Sequence, residues 1–346
     1  MQITFFSFIV SIFCSSVLII IAYIFRRQEA FIRSFGVSTI LILYLTALTR
    51  LLVPFEFPFT YEVEVEGVVS HIVKTIYLDQ IEPVSLSIAK ILCIIWVDVM
   101  VLRIVSFIYR YCKVKKEVKM YKKCEDDDQY SRVFNKIQKD RKVIKVDIRC
   151  SDSIHIPVGI GVFKRAIILP DEDYSDLELE YILLHEYTHF LNRDPLVKML
   201  VYLFCCIYWW NPIVYLLKKD LDKILEIKCD LCVTEMMKKT DKAAYLTTIL
   251  NVLKKSGNKS IQMKDVTTAL FQRNSNLELV ERFAMVVESS HQNAESKTSF
   301  SGRVLLLSIL VMGLSYLFVV QPLYHPPADQ MKPTMKLMNL ILRIRI

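Results

Sequence analysis

Two histidines stand four residues apart in ILLHEYTHFLNRD, Ile182 to Asp194, with a glutamate directly after the first. On a helix that spacing stacks His185 and His189 on one face. Two neutral imidazoles so placed can share one zinc ion, and the next residue, Glu186, can reach a water that the metal acidifies. In that chemistry Glu186 takes the proton while the water attacks a peptide carbonyl. The expectation is a hydrolytic site with one Zn2+ per chain. The chain has six histidines, and a chance match to H-E-x-x-H in such a chain is roughly a one-in-a-hundred event. The plainer alternative is two helix-face histidines beside an exposed glutamate.

The flanking sequence supports the helix. Ser175 and Glu178 have capping-box spacing, and Leu179, Ile182, Leu183 and Leu184 continue an apolar helical pattern. Upstream, Lys142–Arg149 alternates as a strand does, and Ile156–Asp171 reads as a hairpin or two short strands. A third ligand must come from elsewhere. A histidine six residues past His189 is excluded because Pro195 stands there. Acidic candidates follow at Asp220, Asp222, Glu226, Asp230 and Glu235, and spacing alone does not choose among them. Cys229 and Cys232 form a lone C-x-x-C, which reads as buried helix residues.

These elements sit in an apolar chain. It has 346 residues, is 53% hydrophobic and carries a formal charge of +8. That composition excludes an ordinary soluble enzyme of this size. Four apolar runs are candidate spans: about 5–25, 36–54, 86–111 and 303–322. The first lacks a basic start and a cleavage site, so it reads as an anchor. Within the third, Lys90 and Asp98 are expected to pair. Arg26, Arg27 and Arg33 follow the first run, and six lysines lie between Lys113 and Lys123 after the third. The loop between the second and third is acidic. The positive-inside rule then puts the N-terminus outside and residues 113–302 in the cytoplasm. The lysine run suits anionic lipid better than nucleic acid. Nine cysteines without an extracellular framework are expected as thiols. Leu196–Trp210, apolar for about 15 residues, is either a buried helix or a membrane-facing one.

Further marks point to a family. HEYTH is followed by Arg193–Asp194, then by Trp210–Asn211–Pro212, then by Glu226 with Cys229–Asp230. Pro157–Pro170 precedes the zinc helix. Together these resemble the membrane metallopeptidases of the β-lactam sensor–transducers. The resemblance is specific over residues 155–232. It implies His185, His189 and Glu226 as metal ligands and Glu186 as general base. Asp230 would orient a ligand histidine. An extended substrate would add as a strand beside Ala166, Ile167, Ile168 and Leu169.

The implied fold is an α-helical integral membrane protein of the cell membrane. Three spans occupy residues 1–112, a mainly-α, α+β gluzincin-type peptidase domain residues 113–302, a fourth span 303–322, and a short tail 323–346. The implied function is a zinc endopeptidase of transmembrane signalling that cuts itself or a cytoplasmic DNA-binding repressor. Ala269–Phe271 and Ser299–Phe300 are the candidate self-cleavage stretches. The family's penicillin-binding motifs, S-x-x-K and K-T-G, do not follow the fourth run, so direct β-lactam acylation is not expected. Other expected partners are the lipid bilayer and a second copy in a homodimer, with no direct nucleic acid. A housekeeping membrane metalloprotease and a catalytically silent adaptor are the competing readings.

Overall fold

A computed structural model of the chain describes residues 2–3, 5–27, 36–54, 57–58, 60–65, 80–81, 86–124, 129–139, 141–235, 237–257, 276–289, 306, 310–322 and 344–345. Ala269–Phe271 and Ser299–Phe300 lie outside these residues, as does most of the tail 323–346. Two compact units are present. One comprises Met1–Val101, Asn211–Leu217 and Ala294–Ile346, the other Leu102–Trp210 and Lys218–Asn293.

The first unit is built on apolar helices. Helix α1 (Phe5–Arg27) stays uncharged until its last turn, where Arg26 and Arg27 stand. Ser7, Ser11 and Ser15 are buried on one face with Ile19 and Ala22. Small residues at steps of four let a neighbouring backbone approach closely, as they do between helices in lipid. The neighbour is α2 (Val37–Leu52), and the Ser11 hydroxyl donates to the Arg50 carbonyl. Helix α3 (Ile88–Met120) starts in this unit. The stretches Ser7–Arg27 and Lys90–Met120 are long and apolar enough to cross a membrane.

Among the described residues, the other two runs hold no helix of membrane length. Helix α2 has 16 residues, about 24 Å at 1.5 Å per residue, below the roughly 30 Å of a bilayer core. In the fourth run, Phe318–Pro322 is a strand paired parallel with Tyr61–Val65. The chain leaves the helix there because the Tyr316 and Leu317 carbonyls accept from Thr60 Oγ1 at 2.9 Å and Tyr61 N at 2.7 Å. Arg50 is fully buried. It donates to Ser315 Oγ and to the Val53 carbonyl, each at 3.0 Å, and stacks 4.0 Å from the Tyr316 ring. The expected Lys90–Asp98 pair does not form among the described residues; both side chains are exposed on α3.

The second unit wraps helices around a four-stranded sheet. The strands are β1 (Lys122–Lys123), β2 (Val146–Ser151), β3 (Val158–Ile160) and β4 (Arg165–Pro170). Their spatial order is β1-β2-β4-β3, with β2 and β4 parallel and the other pairs antiparallel. The hairpin expected in Ile156–Asp171 is thus the β3–β4 pair. Helix α4 (Gln129–Lys139) and helix α5 (Asp176–Leu191) pack on this sheet. Leu179, Ile182, Leu183, Tyr187 and Phe190 of α5 share one core with Ile167 and Leu169 of β4. The Tyr187 hydroxyl donates to the Lys142 carbonyl at 2.6 Å, which ties the chain before β2 to α5.

Four more helices follow: α6 (Asp194–Ile207), α7 (Pro212–Thr234), α8 (Lys239–Gly257) and α9 (Asn276–Ser289). With 14 residues, α6 is about 21 Å long and too short to span a bilayer. Its Val201, Phe204, Cys205 and Cys206 are buried.

The start of α5 is fixed by the expected box. Ser175 Oγ accepts from Glu178 N at 3.3 Å, and the Glu178 carboxylate accepts from Ser175 N at 3.1 Å. Ser175→Ala removes one cap acceptor, worth about 1 kcal/mol. Thermal unfolding should show a midpoint lower by about 2–4 °C.

Candidate metal centre

One turn of α5 carries both histidines inward, where each is at least nine-tenths buried. Their Nε2 atoms lie 3.2 Å apart. From α7 the Glu226 carboxylate places one oxygen 3.5 Å from His185 Nε2 and the other 3.5 Å from His189 Nε2. A tetrahedral ion with bonds of about 2.0–2.2 Å has ligand-to-ligand edges of roughly 3.3–3.6 Å. The separations of 3.2–3.5 Å among the three groups lie close to those edges.

The other ring nitrogens are occupied by acceptors. His189 Nδ1 donates to Asp194 Oδ2 at 2.7 Å. His185 Nδ1 lies 2.8 Å from the Tyr245 hydroxyl and 3.3 Å from Asp230 Oδ1. Tyr245 donates to that same Asp230 oxygen at 2.6 Å. A proton held on each Nδ1 leaves each Nε2 lone pair facing the common point, the tautomer that metal-bound histidines take. The turn after α5 delivers Asp194: Arg193 adopts left-handed φ 59, and Asp194 opens α6 directly behind His189.

The electrostatics describe a cavity made for a cation. Burial disfavours a charged His185, but hydrogen bonds and attraction from Asp230 and Glu226 outweigh it and raise the imidazolium to about 10. Burial likewise opposes charge on His189, yet the Glu226 carboxylate and the hydrogen bond to Asp194 hold it well above the ordinary histidine range. Burial would raise Glu226, but His189 and Lys198 keep it well below the ordinary carboxylate range. With protons as the only cations, two nitrogens 3.2 Å apart compete for positive charge. A single metal ion satisfies both nitrogens and the carboxylate at once.

Sulfur is a rival third ligand. Donor atoms of His185, His189 and Cys229 lie within 4.8 Å of one another. The thiol, however, donates to the His185 carbonyl at 3.3 Å and sits 3.6 Å from Nδ1, the nitrogen already turned to Asp230. Burial first, against the pull of His189, pushes it up to about 12. The Glu226 oxygens face the two Nε2 atoms while the sulfur lies on the Nδ1 side of His185, so the geometry favours Glu226.

Glu186 lies beside the sheet. Its Oε2 accepts from Gly159 N at 2.7 Å. A Cβ on Gly159 would meet that oxygen and the Phe190 ring at 3.1 Å each, so any larger residue there would push one of them by a few tenths of an ångström. The placement of Ala166–Leu169 corrects one expectation. Strand β4 pairs with β2 on one side and β3 on the other. Its residues are buried and offer no free edge to a substrate. The outer strand on the Glu186 side is β3.

Several residues at the centre have no local sequence signature that marks them as functional. Tyr245 stands 60 residues after His185. Arg282 lies in LELVERF, which reads as an ordinary amphipathic helix. The one local signal was a positive charge on the stripe that Met285 and Val286 also occupy, and all three are buried. Lys198 approaches Glu226 Oε1 at 3.4 Å. Asp194 was visible only as part of a motif.

Helices long and apolar enough to cross a membrane, and an H-E-x-x-H helix whose two histidines face one carboxylate from α7, are the features a membrane metallopeptidase family would share. The chain belongs to the BlaR1 peptidase M56 family, whose model matches residues 8–286. It is similar to the methicillin resistance mecR1 protein of Staphylococcus aureus, 29% identical over 170 residues, which is 48% of this chain and 28% of that protein. The regulatory protein BlaR1 of Bacillus licheniformis is 36% identical over 104 residues, 30% of this chain and 17% of that protein. BlaR1 of Staphylococcus aureus is 25% identical over 170 residues. The matched stretch spans less than a third of each of these relatives.

Proposed function

We propose that this protein is a zinc-dependent membrane endopeptidase of transmembrane signalling, which cuts itself, a cytoplasmic regulator such as a repressor, or both. The observation that carries the reading is the convergence of His185 Nε2, His189 Nε2 and the Glu226 carboxylate at 3.2–3.5 Å. These three would hold one zinc ion, which when bound would supply electrophilic activation of a peptide carbonyl and of water. Glu186 is the general base. The Gly159 N–H fixes its carboxylate between α5 and the sheet edge, where it takes a proton from water and passes it to the leaving amine. An extended peptide lies along the outer edge of Val158–Ile160, not beside β4. The N-terminus is outside and residues 113–302 are cytoplasmic, as the distribution of lysine and arginine favours.

The test is a matched pair. Wild type and Glu186→Gln are purified from membranes, supplied with zinc, and any fragments of the chain mapped by mass spectrometry. Zinc-dependent cuts in wild type only are expected, and the same fragments from both would sink the reading. A subtler variant probes the base's position. Gly159→Ala crowds the Glu186 carboxylate by a few tenths of an ångström, and since displacement of about 1 Å costs on the order of 100-fold in rate, a loss of up to about tenfold is expected. Turnover should fall to about that extent with zinc content unchanged.

A further inference from the structure

Arg282 enters the metal centre from α9, 52 residues after Asp230. Its side chain is 5% exposed. Nε donates to Asp230 Oδ2 at 2.6 Å and a terminal nitrogen to Oδ1 at 2.9 Å, the forked contact that fixes a carboxylate in plane. The other terminal nitrogen lies 3.5 Å from Glu226 Oε2. One guanidinium therefore touches the carboxylate behind His185 and the carboxylate facing both histidines.

The Asp230 carboxylate passes this constraint on. Its Oδ1 accepts the Tyr245 hydroxyl, and both atoms face His185 Nδ1. Without Arg282, Asp230 is a buried charge with its forked partner gone. It would turn out of its present plane, and His185 would lose the acceptors that hold its ring. Met285 and Val286 bury the same stripe of α9, so the guanidinium reaches the centre only when that helix is seated.

We infer that Arg282 is a positioning residue of the metal centre: through Asp230 and Tyr245 it sets the His185 ring, so that seating of α9 and binding of zinc favour each other. The inference rests on the zinc reading above and adds a regulatory handle to it. Linkage is reciprocal: whatever unseats α9 weakens zinc binding, and zinc in turn holds α9 down.

The experiment uses the full chain in detergent micelles. Zinc affinity is measured by competition with a chelator for wild type, Arg282→Gln, Arg282→Lys and the exposed control Val287→Ala. Arg282→Gln should lose about 10- to 100-fold in affinity, the range for groups that orient metal ligands. Arg282→Lys keeps the charge but not the fork and should fall between. Val287→Ala should match wild type. Hydrogen exchange on wild type is the second measurement, because Arg282→Gln can fail to fold. Zinc should slow exchange across 276–289. Wild-type or tighter affinity in a folded Arg282→Gln overturns the inference, as does α9 exchange indifferent to zinc. No zinc on wild type at all would instead defeat the zinc reading, and the inference with it.

Discussion

Glu186→Gln is expected to cut proteolysis by at least about 100-fold and leave the metal in place. The two side chains have the same shape, and the glutamine carbonyl can still accept from Gly159 N as the carboxylate does at 2.7 Å. What disappears is the base. A positioned general base contributes about 10²–10⁴ in rate, so kcat/KM on a cleaved peptide should fall by that factor. Zinc content should stay at the wild-type value, since Glu186 is not among the three converging groups. A variant that keeps a tenth or more of wild-type activity would move the base elsewhere.

The second large effect separates oxygen from sulfur as third ligand. Glu226→Gln keeps the size of the side chain and removes the charge that faces both Nε2 atoms at 3.5 Å. Zinc affinity should drop at least about 100-fold, the upper end for loss of a supporting group alone. The variant should also be less stable without metal. Lys198 and Arg282 both approach Glu226, and breaking buried charge pairs costs roughly 3–5 kcal/mol. Cys229→Ser, by contrast, preserves a hydroxyl donor to the His185 carbonyl and should bind zinc within about threefold of wild type. Reversal of that order, with Cys229→Ser losing the metal and Glu226→Gln keeping it, would make the sulfur the ligand.

The parts legible in the sequence were those with local signals. H-E-x-x-H on a capped, periodic helix needs only its own turn to be read, and Ser175 with Glu178 forms the box its spacing announces. The β3–β4 hairpin was visible for the same reason. Long-range placement was not. Nothing in Ala166–Leu169 tells an inner strand from an edge, because a short apolar run buries equally well on either side. The sheet order gave the free edge to Val158–Ile160 instead. Arg282 was hidden by its helix: a charge in an amphipathic pattern reads as solvent-facing until a buried Asp230 is found opposite. Nor was it legible that Phe318–Pro322 pairs with a strand 257 positions earlier in the chain, in the register Tyr61 to Phe318. Hydropathy carries no information about such a partner.

The most direct test of the account is metal content. Inductively coupled plasma mass spectrometry would be run on the full chain purified from membranes beside His189→Ala. The centre described here predicts about one zinc per wild-type chain and close to none in the variant. Equal zinc in both, or none in either, would contradict it.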